Sequence, residues 1–419
     1  MKITLLDSRD ATWGATVDRV YESLGFPDNP LLFPPHFTQV VLPKLGGGMA
    51  LLHDERDEQG VGFLFPRAAP QGEQQDVPAF TLRFHALADD AFDTLERVLP
   101  ALRSQLDGAD VVIYDPQGDH VYAPTHEHLG ALDIGRPSRA ETESIRRNHQ
   151  TIWGSPPEFL YPTDIHSRDF WLGASLVARV DASDPDARVA GFLFGFYKWG
   201  GAPLPSDWHA RFGGHWRLES QAMGVLPAQR GKHIGYLLKW KQAELARQDG
   251  IGIVNWTVDP LQFPNAALNF GLLRAMAFDH YADLYPFRNE LNQVPASRFG
   301  ITWLVDTARV RSLPVTGASA DVVDLAEHPA LQRVNRGWQH FDTPTADQFA
   351  IEIPADWTAL QREKPDQAAE WRATTDRFFG QHIGRAATQY VITGVGAEDE
   401  RRYLLAQRAG DALWARLAA

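Results

Sequence analysis

The chain contains no cysteine in its 419 residues. That absence excludes disulfides, thiolate zinc sites and iron–sulfur clusters. It also removes a thiol nucleophile, so an acyl transfer would run more simply straight from donor to acceptor. No apolar run approaches the roughly 18 residues of a membrane-spanning helix, and no membrane partner is expected. The opening MKITLLDSRDATWG reaches an acid at Asp7 before any apolar block forms, which predicts no secretory signal and a cytoplasmic protein. Positive charge is scarce: 40 basic against 53 acidic residues leave a net charge of −13, which argues against nucleic acid as a partner. There is no G-x-S-x-G elbow, no GxxxxGK[ST] loop and no three-glycine dinucleotide fingerprint. What remains is the composition of a globular protein, 44% hydrophobic and 22% charged, long enough for two or three domains.

The sequence carries an internal likeness. Residues 19–67 and 147–196 each give a helix, a connection rich in aromatics and proline, and two strands joined by an acidic turn. The strands are MALLHD and GVGFLF in the first copy, ASLVARV and VAGFLFGF in the second. Farther on, ADVVIYDPQ (109–117) echoes IGIVNWTVDPLQ (251–262). The first copy has Asp89, Asp90 and Asp93 where its helix begins, which suits a helix N-terminus but would repel an anion. The second copy differs at that place. After residue 310 come a strand in QFAIEIPADW, a helix in KPDQAAEWRATTDRFFGQHI, and strands QYVITGV and RRYLLAQ. Segments 1–137, 138–310 and 311–419 are therefore expected as domains, the last completing one copy or standing as a third unit.

Residues 224–242, GVLPAQRGKHIGYLLKWKQ, hold Arg230, Lys232, Lys239 and Lys241 and no carboxylate. WRLESQAMGV (216–225) reads as a strand, LPAQRGK as a turn, and Ile234, Leu237, Leu238 and Leu245 as one face of a helix. IGIVNWTV resumes as a strand. Glycines and cations at a helix entrance suit an anion: the first-turn N–H groups are unpaired, the dipole is positive, and small residues allow close approach. A solvated, well-capped helix would leave the same pattern.

QRGKHIG resembles the acyl-CoA pyrophosphate loop, R/Q-x-x-G-x-G/A, of the GCN5-related N-acetyltransferase (GNAT) superfamily. LESQAMGVLP before it, IVNWTVDP after it and the helix PNAALNFGLLRAMAF fit that resemblance. Together with LNQVPASR and EIPADW…WR they resemble a subgroup of bacterial acyltransferases, some associated with N-acylation or N-succinylation of amino acids. The likeness covers about residues 140–305. It implies an α/β fold of two tandem GNAT-like domains, each a mixed sheet flanked by helices, the N-terminal copy degenerate. Two positions depart from the pattern. His233 stands where the loop's first glycine is expected, and Leu272 and Leu273 stand where a tyrosine is usual.

The resemblance implies that acetyl-CoA or another acyl-CoA is held by Met223, Gly224 and Val225 of the strand, by Arg230, Gly231, Lys232, His233, Ile234 and Gly235 of the turn, and by Asn265. Asn265 has an alternative as a helix N-cap. Alternation puts Glu219 and Gln221 on one face with Met223, which makes Glu219 a candidate base. Tyr281 and Tyr285 are candidates for returning a proton to the leaving thiolate, with Tyr285 preferred. Arg288, Arg298 and Arg372 could each hold an acceptor carboxylate. His120, His126 and His128 lack metal-ligand spacing, and no metal is expected. The sequence thus points to an N-acyltransferase moving an acetyl or succinyl group onto a small-molecule amine, an amino acid among the candidates, as a monomer or homodimer. The alternative is a non-catalytic protein that binds acyl-CoA or a partner.

Overall fold

The computed structural model describes residues 2–55, 57–68, 78–205, 207–285 and 293–419. The chain packs as two compact units, Met1–Pro203 with Gly213–Ile251, and Leu204–Phe212 with Gly252–Ala419. This division follows packing, whereas segments 1–137, 138–310 and 311–419 follow likeness of sequence, and the two do not coincide.

The first unit holds two sheets. One has β1 (Lys2–Leu6), β2 (Gly48–His53), β3 (Glu58–Arg67), β4 (Ala79–Ala86) and β5 (Val111–Tyr114), side by side in that order. Only the β4–β5 pair is parallel. The other has β6 (Glu127–Leu129), β7 (Leu132–Gly135), β8 (Ala174–Arg179), β9 (Val189–Trp199) and β10 (Trp216–Val225), each antiparallel to the next. One succession occurs twice: helix Trp13–Ser23, β2, β3, β4, helix Ala91–Gln105; then helix Arg139–Trp153, β8, β9, β10, helix Ile234–Gln248.

Strands as apolar as β3 and β9 have to be covered on both faces. Phe63 and Phe65 of β3 share a core with Phe192, Phe194 and Phe196 of β9, joined by Phe33 and Phe37. Phe33 stacks on Phe37 at 4.7 Å, and Phe65 on Phe196 at 5.8 Å. Burying each such ring contributes about 1.5–3 kcal/mol. On the far face of the first sheet, Leu64, Leu82 and Phe84 pack against Ala91, Leu95 and Leu102 of the covering helix. Period-two alternation then turns Arg83 of β4 into the layer between the sheets.

Arg83 is 0% exposed. Its guanidinium is ion-paired with Asp164, with Nη2 3.1 Å from Oδ1, and Nη2 also donates to the Leu31 carbonyl at 2.7 Å. The Tyr114 hydroxyl donates to the same carboxylate at 3.0 Å. Burial, and then the charge of Arg83, push the neighbouring His85 down to about 3, so that imidazole is neutral.

The second unit has one sheet in the order β15-β16-β18-β17-β12-β13-β11, with β14 parallel to β17. The strands are β11 (Ile253–Val258), β12 (Met276–Tyr285), β13 (Ala296–Leu304), β14 (Val322–Asp324), β15 (Gln332–Arg333), β16 (Gln348–Ile353), β17 (Tyr390–Glu398) and β18 (Arg401–Arg408). Trp208, Met276, Phe278, Leu304 and Trp414 form a shared core. Helix Pro365–His382 packs Phe379 against Phe299 of β13 at 4.8 Å and Phe378 near Phe349 of β16 at 6.0 Å. The expected α/β class, sheets flanked by helices, is the class observed. The helix expected over PNAALNFGLLRAMAF is shorter: Phe263–Ala266 passes into a π-helical turn, Ala267–Leu272, and stops. Arg274 turns left-handed at φ +57, and Met276 and Phe278 alternate into the core as strand.

Removing Asp164 would leave the Arg83 charge buried without a counter-charge. Asp164→Ala is expected to cost about 3–5 kcal/mol in denaturant unfolding. The double variant Arg83→Met/Asp164→Ala should recover part of that loss. A cost below about 1 kcal/mol for the single variant would show that the pair is not the structural tie described.

Candidate functional site

β10 and the helix that follows it form the most distinctive surface of the first unit. β10 pairs with β9 from Trp216↔Trp199 to Val225↔Gly191, but the register shifts between Ser220 and Ala222, so Gln221 is an extra residue. Such a bulge breaks the alternation of faces. Glu219 lies opposite Phe196, on the face turned to the aromatic layer, whereas Met223 lies opposite Leu193, on the helix face. The expectation that Glu219, Gln221 and Met223 share a face therefore fails at Met223.

The Glu219 carboxylate accepts from Lys198 Nζ at 3.0 Å, and Gln221 Nε2 donates to the Tyr161 hydroxyl at 2.8 Å. Tyr161 in turn sits edge-on to Phe37 and Phe194. A charged carboxylate held beside an ammonium can accept a proton from a nearby amine, directly or through water.

The turn after β10 is tied to the sheet by the Leu226 N–H, which donates to the Ala190 carbonyl at 3.0 Å. Pro227–Gln229 makes one 3-10 turn, Arg230 is extended, Gly231 turns left-handed at φ +79, and His233 does the same at φ +57. Histidine tolerates this region better than most residues, though less readily than glycine. The helix Ile234–Gln248 then begins with no side-chain cap and no acid in its first turn. The Leu237 N–H donates to the His233 carbonyl at 3.0 Å. Arg230, Gly231, Lys232 and His233 are exposed, and Gly235 is half-buried. Ile234 is buried and docks the helix on β9: a Cβ at Gly191 would stand 2.7 Å from its Cγ2, closer than atoms can pack. Its side chain is an anchor, leaving only its main chain to meet a ligand. Met223 and Val225 are half-buried and Gly224 is buried.

The four cations of this stretch divide in two. Lys241 is ion-paired with Glu127 and Glu244. Lys239 is 2% exposed and donates to Ser220 Oγ at 2.8 Å and Gln242 Oε1 at 3.2 Å. Burial pushes its amine well below the usual lysine value, against the opposing charge of Glu219. Only Arg230 and Lys232 remain at the surface of the turn. The sequence did hold a signal for Lys239: it shares a helical stripe, at spacings of three and four, with Gly235, Gln242 and Ala246.

The remaining candidates belong to the second unit. Asn265 lies inside its short helix, exposed, behind the cap residue Gln262, and its carbonyl accepts from Asn269 Nδ2 at 2.8 Å, so it is not an N-cap. The Tyr285 hydroxyl shares a 3.0 Å hydrogen bond with Thr257 Oγ1. Its ring lies 5.1 Å from the Arg298 guanidinium. Tyr281 is exposed. Arg372, 1% exposed, donates to Asp259 at 2.6 Å and stacks on Trp357 at 4.9 Å, and Arg298 lies 3.6 Å from the same carboxylate. Both arginines are thus engaged by Asp259. Arg288 lies outside the described residues.

Among the described residues no group of three His, Asp or Glu side chains could hold a metal. His126 is paired with Asp133 at 2.7 Å, and His120 stacks on Tyr114.

No protein-family model matches the chain, and no curated protein matches its sequence. Solved structures resemble part of it. The NatC complex bound to Gag peptide and CoA is 12% identical over 42% of this chain and 99% of that chain, with a TM-score of 0.30. Arabidopsis thaliana NAA60 in complex with a bisubstrate analogue is 14% identical over 41% of this chain and 97% of that chain, TM-score 0.32. The yncA protein of Salmonella typhimurium with its cofactor acetyl-CoA is 16% identical over 42% of this chain and 95% of that chain, TM-score 0.29.

Two stability measurements test this geometry. Lys239 binds no proton in the folded chain across the window between its depressed folded pKa and the ordinary lysine value. The unfolded chain does, so stability rises with pH there by about 1.4 kcal/mol per unit for this one proton. Lys239→Met should lose that contribution when unfolding is measured from pH 7 to 9, and parallel slopes for the two proteins would show a charged Lys239. His233→Gly should relieve the left-handed conformation and raise stability by about 0.5–1 kcal/mol. Destabilisation would mean that the imidazole makes a contact outweighing the strain.

Proposed function

We propose that the chain is an acyl-CoA-dependent N-acyltransferase that moves an acetyl or succinyl group onto the amine of a small molecule. The observation that carries this reading is the bulged strand β10 running, through an exposed basic turn, into an uncapped helix N-terminus free of carboxylates. Main-chain N–H groups from Gly231 to Gly235 would face the pyrophosphate, with Arg230 and Lys232 adding charge. Main-chain groups of Met223, Gly224 and Val225 would hold the pantetheine arm and stabilise the oxyanion on the thioester. Glu219 would take the proton as the amine nitrogen bonds to the acyl carbon and the carbon–sulfur bond breaks. Without cysteine no acyl-thiol intermediate can form on the protein, and direct transfer in a ternary complex is the proposed route. The assignments of Asn265 to the pantetheine and of Tyr285 to protonating the thiolate rest on the resemblance alone.

The repeated succession of helix, three strands and helix supports reading residues 1–137 as a degenerate copy of 138–310, with 311–419 as an extension. The first copy's helix Ala91–Gln105 has Asp90 as its cap residue and Asp93 in its first turn, so the anion seat is assigned to the second copy only. In the described residues no helix is long and apolar enough to cross a membrane; we place the protein in the cytoplasm, as a monomer or homodimer.

Thermal unfolding with CoA, acetyl-CoA and succinyl-CoA, against ATP and NAD, tests the seat: a ligand at a hundred times its Kd adds about 2.7 kcal/mol. Gly235→Glu, which sets a carboxylate at the helix entrance, should abolish the CoA-specific shift; unchanged affinity would overturn the assignment. Glu219→Gln should lower kcat for CoA release with an amine by about 10²–10⁴-fold, leaving acyl-CoA affinity unaltered. CoA-specific binding without turnover on any amine would favour the non-catalytic alternative.

A further inference from the structure

A second cationic site lies in the second unit, independent of the acyl-CoA reading. Arg274 ends the π-helical turn in a left-handed conformation, φ +57, at a kind of position where glycine or asparagine is usual. Its Nη1 donates to the Arg309 carbonyl at 2.7 Å and to Ser312 Oγ at 3.3 Å. Arg309 Nη2 donates back to the Arg274 carbonyl. The two guanidiniums are thereby locked against each other's backbone. The C-terminal helix Asp411–Leu417 brings a third. The Ala308 N–H donates to a main-chain oxygen of Ala419, the last residue of the sequence, at 2.9 Å, three residues beyond Arg416, and Arg416 itself is held by Gln407 Oε1.

Among the described residues none of the three arginines is ion-paired with an Asp or Glu side chain, whereas the adjacent Arg311 is paired with Asp306. Arg274 and Arg416 are exposed and Arg309 is half-buried. Burial, then the charges of Arg274 and Arg416, push Arg309 down to about 10.

We propose that Arg274, Arg309 and Arg416 form a binding site for a phosphate-type oxyanion, either free inorganic phosphate or a phosphate ester. Arginine donors arriving from three chain segments suit a compact tetrahedral dianion, which accepts from several directions. A planar carboxylate is matched by a single fork.

The test is a calorimetric titration of the full chain with inorganic phosphate and, separately, with methyl phosphate, against acetate and chloride at equal ionic strength. Wild type and Gly235→Glu should both bind phosphate saturably at one site, and the tighter of the two phosphates identifies the source. Arg416→Gln should weaken the affinity about tenfold or more, and Arg416→Lys by less, since a charged donor is retained. Arg274→Gln gives an independent second variant, and circular dichroism checks that each is folded. Phosphate binding no stronger than that of chloride, or equal in wild type and Arg416→Gln, would overturn the site. Binding lost in Gly235→Glu but kept in Arg416→Gln would assign the anion to the glycine turn instead and overturn it as well. Failure of CoA species to bind would leave this result untouched.

Discussion

The aromatic layer between the two sheets of the first unit is the constraint from which its candidate site follows. Phe33, Phe37, Phe63 and Phe65 on one side and Phe192, Phe194 and Phe196 on the other fix the height and register of β9. β9 then has one face committed to that layer and offers the other to the helix Ile234–Gln248. Gly191 lets Ile234 come down onto the strand, and β10, paired to β9, delivers the chain to the turn that starts the helix. The exposed elements, turn and helix entrance, hang on buried hydrophobic contacts several residues away. A cavity in the Phe layer would therefore be felt at the turn as well as in the core.

Charge is placed with the same economy. Carboxylates outnumber cations, and most buried cations are tied to one: Arg83 to Asp164, Arg372 to Asp259, and Arg179 to Glu141. These pairs contribute little net stability, but removing one member strands the other. Lys239 is held by neutral side chains. It lies between helix and sheet, satisfied by Ser220 and Gln242, and burial favours its neutral amine. A stretch that reads as uniformly basic thus presents to solvent only the cations at its first turn, where the helix dipole adds to them.

Much of this was legible in the sequence because local rules decided it. The strands of both copies, the turn at residues 226–233 and the C-terminal strand–helix–two strands all follow from periodicity and punctuation by glycine and proline. Legibility ended where tertiary contacts overruled local pattern. A bulge such as that at Gln221 leaves no mark in composition, so the side of β10 on which Met223 falls could not be read. Met276 and Phe278 fit a helix as well as a strand, and it is the Trp208–Trp414 core that selects the strand. Lys239 carries the charge of a surface residue, and only its place on the stripe with Gly235, Gln242 and Ala246 marks it as internal.

His233 shows how a loop can depart from a glycine pattern without losing its shape. What an anion meets at a helix entrance is a set of N–H vectors, and these depend on φ and ψ rather than on the side chain. Glycine is common there because the left-handed turn costs it little. A histidine that adopts φ +57 and ψ 14 delivers the same vectors at the cost of some strain. Its ring stays exposed, beside Lys232. The substitution therefore shifts the question from geometry to stability. Motif matching registers a missing glycine, whereas the backbone retains the conformation that the glycine would have supplied.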